Sequence, residues 1–497
     1  MLSTTSRVIK FTTHDMINNG RTNRINIFDG VDFKTVFLYI ALTIVGVLCI
    51  TSASFNAGEE EFFSFAHNHT KQLMWLGVAW VVAFVVMMLD SRYFHMLSYP
   101  AYLGGILLLV AVLLFGREVN GAKAWFQFGS IRVQPVEFAK IAIALAVARM
   151  MSGYSFAINR PSNLFRLGAM LLLPLSIIVL QNDTGSGIVL GSFLFVFYRE
   201  GLNKWLCIPI LLVALLFIVS FLVTPTAMLI SLIVIFTLSE IMMNRLWRSR
   251  VVALAAVFLG SMVLHWLLRL CGVEWEYYVS LMISSFVWVA VAAVYAFRAN
   301  LRNIFVLLAL YLASMIFLPT TEHIFNNILK PHQQNRILVF LGAIEDLRGQ
   351  GYNVHQSKIA IGSGGLFGKG FMQGTQIKYN FVPEKHTDFI FCTVGEEWGF
   401  LGALVVLGLM CALILRLMKM GERSGEPFTR VYCYCVASIL LFHTLVNVGM
   451  TIGLMPVMGI PLPFISYGGS SLIAFTIMLF IAINLDASTR TEIGHRI

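Results

Sequence analysis

Charged residues are scarce in this chain, and that scarcity excludes most soluble folds. Asp, Glu, Lys and Arg make up only 12% of its 497 residues, whereas about a quarter is usual for a soluble domain. Whole stretches such as 35–58 and 251–268 contain none of them, and 58% of all residues are hydrophobic. The sequence therefore predicts an all-α, polytopic membrane protein without a sizeable soluble domain.

The chain also lacks the cysteine and histidine spacings of metal sites. Its seven cysteines lie mostly within or at the ends of apolar runs, and none belongs to a CxxC pair. We interpret them as buried thiols, neither disulfides nor metal ligands. His67 and His69 alone are too few for a metal site.

The positive net charge of +10 is explained by topology and does not predict a nucleic-acid partner. Lys and Arg fall mainly in short segments between apolar runs, where the positive-inside rule places them. The basic segment 1–34 is too long for the start of a signal peptide, so we expect a cytoplasmic N-terminal tail.

The apolar runs predict about fourteen membrane-spanning helices. With the N-terminus inside, every predicted inside loop contains Lys or Arg, and both termini are cytoplasmic. The runs lie near 35–54, 72–89, 97–115, 136–151, 167–181, 185–199, 205–223, 227–242, 251–270, 277–297, 303–319, 389–415, 431–453 and 470–485.

The same topology places residues 320–388 outside the membrane as one large extracytoplasmic loop without an obvious core. Long loops of this kind are usually functional. The loop includes the polar stretch IEDLRGQGYN (344–353), and its cations favour an anionic substrate over an ordinary solvated surface. These cations are Lys330, Arg336, Arg348, Lys358, Lys369, Lys378 and Lys385.

The glycine-rich stretch GSGGLFGKG (362–370) resembles a phosphate-binding P-loop, but it fails that template. Ser363 replaces the first glycine, and Gly370 replaces the Ser or Thr that should follow the lysine. Two interpretations remain open for this segment. It is either a backbone turn that brings N–H groups and Lys369 toward a phosphate, or a set of plain hinge glycines.

Ionisable residues within or at the ends of apolar helices are costly and are usually paired or functional. Glu137 and Lys140 are three residues apart, so the spacing predicts an ion pair on one helix face. For Asp183 and Glu397, structural and functional roles remain equally open.

The stretch GIPLPFISYGGSS (459–471) combines helix-breaking prolines with two adjacent glycines. Irregular backbone at membrane depth is tolerated only where it is buried or lines a cavity. The stretch therefore predicts a non-helical cavity lining near the outer face.

Several segments together resemble the SEDS (shape, elongation, division and sporulation) glycosyltransferases, and most closely their elongation branch. Val136 and Gln334 depart from the pattern of the family. The matching segments are AWFQFGSIRVQPVEFAK (124–140), QNDTGSGI (181–188), GQGYNVHQSKIAIGSGGLFGKGFMQGTQ (349–376), FVPEKHTDFIF (381–391), GEEWGFLG (395–402) and VNVGMTIGLMPVMGIPLPFISYGGSS (446–471).

The resemblance implies a ten-helix core, so about four of the predicted helices are an insertion. We divide the chain into the cytoplasmic tail 1–34, core helices 1–6 over 35–204, inserted helices over 205–297, and the rest of the core over 298–497 with the outer loop 320–388. The role of the insertion is not readable from the sequence.

The resemblance also implies the activity, which is polymerisation of lipid II into peptidoglycan glycan strands during cell elongation. Asp346 occupies the position of the essential aspartate of the family, and we assign it the role of general base. The implied helper is a divalent cation, Mg²⁺ or Mn²⁺, with no organic cofactor. The expected substrate-binding residues are Arg336, Gln356, Lys358, Lys369, Glu384, His386 and Asp388, and the expected polar cavity residues are Glu137, Lys140, Asp183 and Glu397.

The implied partners are lipid II, the growing glycan strand, the bacterial cytoplasmic membrane and a class B penicillin-binding protein, which crosslinks strands. Three alternatives remain: a lipid II flippase, a division-specific paralogue and a scaffold for other wall enzymes. A flippase needs charges along a path through the membrane, whereas this chain concentrates them at one face, which favours the enzyme.

The predicted topology can be tested with two engineered cysteines. Single cysteines at Arg248 and His355, in a protein cleared of its reactive native cysteines, should react with a membrane-impermeant maleimide from opposite faces. Reaction from the same face would mean that the number of helices between these positions is wrong.

Overall fold

The computed structural model describes residues 30–54, 67–119, 121–129, 131–244, 247–272, 274–298, 301–342 and 349–494, and helices dominate them. The helices are α1 (Phe33–Ser54), α2 (Asn68–Met88), α3 (Ser91–Phe115), α4 (Pro135–Met151), α5 (Pro161–Leu180), α6 (Thr184–Leu190), α7 (Phe193–Arg199), α8 (Lys204–Leu222), α9 (Pro225–Asn244), α10 (Trp247–Leu270), α11 (Tyr277–Arg298), α12 (Arg302–His323), α13 (Pro331–Phe340), α14 (Gln350–Ser363), α15 (Thr375–Lys378), α16 (Ile390–Arg423), α17 (Pro427–Thr451) and α18 (Gly469–Gly494).

Each predicted apolar run coincides with helical structure, which confirms the polytopic all-α class. In the described part of the chain, eleven helices are long and apolar enough to cross a membrane. The run near 185–199 forms two short helices, α6 and α7, which are separated at Gly191, a residue with weak helical preference. That the shorter helices also cross the membrane, as a total of fourteen spans requires, therefore stays a prediction.

The main bundle is built around α4, α17 and α18. Helix α4 packs against α3, α17 and α18, and α17 packs against α16 and α18. Most residues of these three helices are buried inside the protein. A helix that is apolar on all sides is typical of the centre of a membrane bundle.

Helices α8 to α12 form a second cluster with a hydrophobic core of its own. This core includes Ile233, Trp288 and Met315, and helix α12 packs against α8, α9 and α11. Inside the cluster Glu240 and Arg250 form a buried ion pair with atoms 3.3 Å apart. Where the insertion begins and ends stays a prediction.

The described parts of the segment 320–388, which are 320–342 and 349–388, contain more helical structure than the sequence predicts. It contains a π-helical turn (Ile324–Ile328) and helices α13, α14 and α15. Helix α14 packs against α16 and α17, and the buried Ser357 hydroxyl donates a hydrogen bond to the Thr451 carbonyl at 2.9 Å. The sequence did not reveal this packing, because α14 has too few apolar residues to resemble a membrane span, and the location of the segment outside the membrane stays a prediction.

A small antiparallel sheet joins α3 to α4, and the sequence analysis did not predict it. Its strands are β1 (Arg117–Val119), β2 (Ala122–Phe128) and β3 (Ile131–Val133), in the order β1-β2-β3. The Lys123 N–H donates to the Gln181 carbonyl at 2.8 Å. The sheet is thereby attached to the junction of α5 and α6.

Helix α16 is interrupted at Gly399, where φ is 65° and ψ is −161°. The glycine-rich stretch 362–370 packs against this interruption through four backbone hydrogen bonds. Two N–H groups of α16 donate to the stretch, and two N–H groups of the stretch donate to α16. The pairs are Phe400 N to Gly365 O at 2.9 Å, Leu401 N to Leu366 O at 3.1 Å, Lys369 N to Glu396 O at 3.0 Å and Gly370 N to Glu397 O at 3.0 Å.

This arrangement gives GSGGLFGKG a packing role. Backbone groups released by a helix break inside a membrane must find protein partners, and the glycine-rich stretch supplies them. The N–H groups of Lys369 and Gly370 already donate to α16.

We predict that Gly399→Ala strongly destabilises the protein. A Cβ atom at this position would overlap backbone atoms of Leu366 and Gly368, and the positive φ is unfavourable for alanine. The loss should be about 2–4 kcal/mol, or folding should fail, as measured by thermal unfolding of the purified protein in detergent.

Gly408→Ala is the matched control on the same helix. No atom lies within 4 Å of the position that its Cβ would occupy, so it should be neutral or stabilising by up to ~1 kcal/mol. Equal melting temperatures for the two variants would contradict the proposed constraint at Gly399.

Candidate functional site

The candidate site forms where several distant segments of the chain meet near the start of α16. Asp183 precedes α6, and its carboxylate accepts hydrogen bonds from the Gln134 amide at 2.9 Å and from the Ser186 N–H at 3.1 Å and hydroxyl at 2.8 Å. These bonds join the segment before α4 to the junction of α5 and α6. Asp183 therefore has a structural role as the N-cap of α6.

The stretch 459–468 is non-helical, as its prolines and glycines predict, and most of it is buried. Its Ser466 hydroxyl donates to the Thr387 carbonyl at 2.7 Å, and the Tyr467 N–H donates to the His386 carbonyl at 2.8 Å. The Asn447 amide of α17 donates to the carbonyls of Asp388 and Ile460 at 2.8 and 2.7 Å. These bonds fix the segment 384–388 in front of α16.

Arg336 of α13 lies in the electrostatic field of Asp183 and Asp388. Burial lowers the pKa of the Arg336 guanidinium, and the two carboxylates oppose that change. Its Nε atom is buried and has no hydrogen-bond partner among the described residues. A buried donor without a partner is unfavourable unless a ligand or water satisfies it.

The pKa of the Asp388 carboxyl group, which lies just before α16, is strongly raised. Burial raises its pKa to about 7, the neighbouring Glu384 and Asp183 add to that rise, and Arg336 opposes it. The carboxylate of Glu384 is exposed and accepts a hydrogen bond from the Thr387 hydroxyl at 2.8 Å. Arg336, Asp183, Asp388 and Glu384 therefore form one electrostatic cluster, which we call the Arg336 cluster.

The other predicted substrate-binding residues occupy different positions around this cluster. Lys358 is exposed on α14 and lies over Gly453, and Gln356 is half-buried on the same helix. The His386 ring packs edge-on against Tyr467, with 5.8 Å between ring centroids, and burial lowers its pKa.

Lys369 forms its hydrogen bonds near α15, away from the Arg336 cluster. Its ammonium group donates to the Glu396 carboxylate at 2.7 Å and to the Thr375 hydroxyl at 2.8 Å. Glu396 also accepts from the N–H groups of Gln376 and Ile377 at 2.9 and 3.0 Å. Lys369 thus helps to hold the loop before α15, and the Arg336 cluster does not include it.

Glu397 links α16 to α1, because its carboxylate accepts a short hydrogen bond from the Ser52 hydroxyl. The sequence alone does not decide whether Glu397 has a structural or a functional role. In the structure it joins two spanning helices at the same end of the bundle as the Arg336 cluster.

Glu137 and Lys140 form the ion pair that their spacing predicts, with the Lys140 ammonium 2.9 and 2.8 Å from the two carboxylate oxygens. The same ammonium group lies 2.8 Å from His443 Nε2, and His443 Nδ1 lies 3.1 Å from the Pro461 carbonyl. Because a carbonyl only accepts, Nδ1 carries the proton and Nε2 accepts from Lys140. Sequence reasoning missed His443, since a single histidine on a long helix has no spacing signal.

The predicted general base Asp346 and its neighbour Glu345 lie outside the described residues. The helices before and after them are described, and these carry Arg336 on α13 and Lys358 on α14. Among the described residues, no group of three or more His, Cys, Asp or Glu side chains is placed to hold a metal ion.

Known proteins resemble this chain over most of its length. The sequence profile of the FtsW, RodA and SpoVE cell cycle proteins matches residues 33–231 and 226–491. The peptidoglycan glycosyltransferase RodA of Treponema pallidum is 32% identical over 89% of this chain and 94% of its own length. The peptidoglycan glycosyltransferase MrdB of Escherichia coli K12 is 31% identical over 89% of this chain and 90% of its own length.

The fold is also similar to that of a solved protein. One chain in a structure of a peptidoglycan synthase complex, which coordinates polymerisation and crosslinking, superposes with a TM-score of 0.57 and 27% identity. The match covers 92% of this chain and 98% of the other. The matching profile and the similarity to RodA and MrdB show that the chain belongs to the family of FtsW, RodA and SpoVE cell cycle proteins.

Proposed function

We propose that this protein is a peptidoglycan glycosyltransferase that polymerises lipid II into glycan strands during cell elongation. The observation that carries the proposal is the Arg336 cluster, where segments far apart in the chain surround a partly buried cation whose buried Nε has no described hydrogen-bond partner. The relatives named RodA and MrdB support the elongation role over the division role.

The reaction joins a sugar hydroxyl oxygen to an anomeric carbon and breaks the bond from that carbon to the lipid pyrophosphate. Asp346 accepts the hydroxyl proton as the new bond forms. Attack opposite to the leaving group inverts the anomeric centre. Both substrates have lipid tails in the membrane and sugars in water, which explains a site at one membrane face.

Arg336 stabilises the negative charge that develops on the leaving pyrophosphate. Preorganised donors aimed at developing charge contribute most in a site that excludes water. The buried Nε of Arg336 is such a donor, because no described residue accepts a hydrogen bond from it. Lys358, exposed on α14, supplies a second positive charge on the outer surface.

The proposed location is the bacterial cytoplasmic membrane, with many spans, both termini in the cytoplasm and the Arg336 cluster outside. The proposed partner is a class B penicillin-binding protein that crosslinks the strands made here. The similar chain in a synthase complex supports this pairing. A divalent cation, Mg²⁺ or Mn²⁺, is proposed as a helper, and no step of the reaction is assigned to it.

We predict that Arg336→Ala lowers the rate of lipid II polymerisation by about 10²- to 10³-fold, as expected for loss of one preorganised donor to a developing anion. Arg336→Lys should be intermediate, because lysine keeps the charge but loses the planar fork of donors. The measurement is glycan chain formation from lipid II by the purified protein with its transpeptidase partner.

Lys378→Ala is the matched control, because Lys378 is an exposed cation of the same outer segment. An exposed charge contributes only ~0–1 kcal/mol, so this variant should retain most activity. Equal losses for Arg336→Ala and Lys378→Ala would indicate a diffuse positive field in place of a defined site.

We predict that Asp346→Asn lowers polymerisation by about 10²- to 10⁴-fold, because asparagine cannot accept the proton of the attacking hydroxyl. Glu345→Gln removes a negative charge next to it without removing the base and should be much milder. Thermal unfolding and lipid II binding of both variants should stay near wild type.

Near-normal polymerisation by the Asp346→Asn protein would contradict the role of Asp346 as the base. Asparagine caps turns and helices as well as aspartate does, so a purely structural Asp346 would give that result. Transport of lipid II across vesicles by a wild-type protein that does not polymerise it would favour the flippase.

A further inference from the structure

A groove between α1 and α16 lies at the opposite end of the bundle from the Arg336 cluster. The two helices run antiparallel, because Ser52 near the end of α1 bonds to Glu397 near the start of α16. At the other end, Asp32 just before α1 bonds to Arg416 and Arg423 near the end of α16. The groove therefore opens near the membrane face opposite to the proposed active site.

The groove has a volume of about 560 Å³ and almost entirely apolar walls. Phe33, Phe37 and Leu415 are exposed at 62%, 69% and 59%, which places them against lipid in a membrane. Among the described residues that line it, the charged ones are Lys34 and Arg416. The lining residues are Phe33, Lys34, Phe37, Leu38, Ala412, Leu415 and Arg416.

Among the described residues, positive charge is in excess at this end of the groove. Three arginines share the carboxylates of Asp32 and Asp486, so these cations outnumber these anions by one before Lys34 is counted; the arginines are Arg416, Arg423 and Arg490. Burial alone would raise the pKa of Asp32, but Arg416 and Arg423 outweigh it and hold that pKa below its usual range. The Asp32 carboxylate is therefore ionised, and the two carboxylates together still cannot neutralise three arginines.

Two donors at the groove remain available for an anion. The Nε atom of Arg416 is buried and has no hydrogen-bond partner among the described residues. Lys34 is exposed and forms no ion pair with any described carboxylate. An apolar slot that ends at the Lys34 ammonium and at an unpartnered N–H of the ion-paired Arg416 is complementary to a molecule with a hydrocarbon chain and an anionic head.

We infer that this groove binds an anionic phospholipid, with an acyl chain along α1 and α16 and the phosphate between Lys34 and Arg416. Each Lys or Arg near an anionic membrane surface contributes about 1 kcal/mol, so a negatively charged headgroup is favoured over a zwitterionic one. A partner helix fits less well, because the groove extends along only the first turns of α1 (33–38) and a short part of α16 (412–416).

The test uses delipidated full-length protein and native mass spectrometry. Phosphatidylglycerol and phosphatidylcholine with identical acyl chains are titrated separately, and bound lipid is counted. Wild-type protein should retain one phosphatidylglycerol at concentrations where phosphatidylcholine is lost. Lys34→Gln should weaken that binding about fivefold, as expected for loss of one interfacial cation.

Ala412→Trp is a second variant, which fills the groove and should abolish the retained lipid without removing charge. Lys419→Gln is the matched control, because Lys419 is an exposed cation at the same end of α16 that does not line the groove. Melting temperatures without added lipid show whether each variant is folded.

Equal retention of the two lipids by wild-type protein would overturn the assignment. So would wild-type retention of phosphatidylglycerol by both Lys34→Gln and Ala412→Trp, or an equal loss of it with Lys419→Gln. None of these readouts depends on glycosyl transfer, so the outcome is independent of the proposed activity.

Discussion

Backbone polar groups inside a membrane have no water to bond with, and this constraint shapes the end of the bundle that holds the Arg336 cluster. Helix α16 is broken at Gly399, and the stretch 459–468 is not helical. Both irregular segments are tolerated because other parts of the chain satisfy their backbone groups. The glycine-rich stretch 362–370 pairs with the first segment, and residues 384–388 pair with the second. Irregular backbone is thus what positions the proposed active site.

The same constraint explains the polar and glycine-rich segments at the junctions between helices. A regular helix could not place Asp388 and Asp183 near Arg336, since each comes from a junction between helices. Glycines permit the close backbone approach, and Ser, Thr and Asn side chains bond to the remaining carbonyls. Packing and proposed chemistry therefore depend on the same residues.

The sequence predicts those parts of the fold that depend on patterns among neighbouring residues in the chain. Apolar runs locate the helices because a span needs about 20 apolar residues, and the spacing of Glu137 and Lys140 predicts their pairing. Helix α14, the contact of His443 with Lys140 and the pairing of Lys369 with Glu396 arise from tertiary packing, which has no short-range pattern. Asp346 was identified by resemblance to the family, and its neighbourhood lies outside the described residues.

The charges at the two ends of the bundle are stabilised in different ways. Arg416, Arg423 and Arg490 each pair with a buried carboxylate, Asp32 or Asp486. No described carboxylate lies within ion-pair distance of Arg336, and its Nε has no described partner. A partly buried cation without a close counterion is costly, and Asp183 and Asp388 offset that cost only in part, since burial still lowers the pKa of Arg336. A pyrophosphate, the leaving group of the proposed reaction, would supply a close negative charge and an acceptor for that Nε.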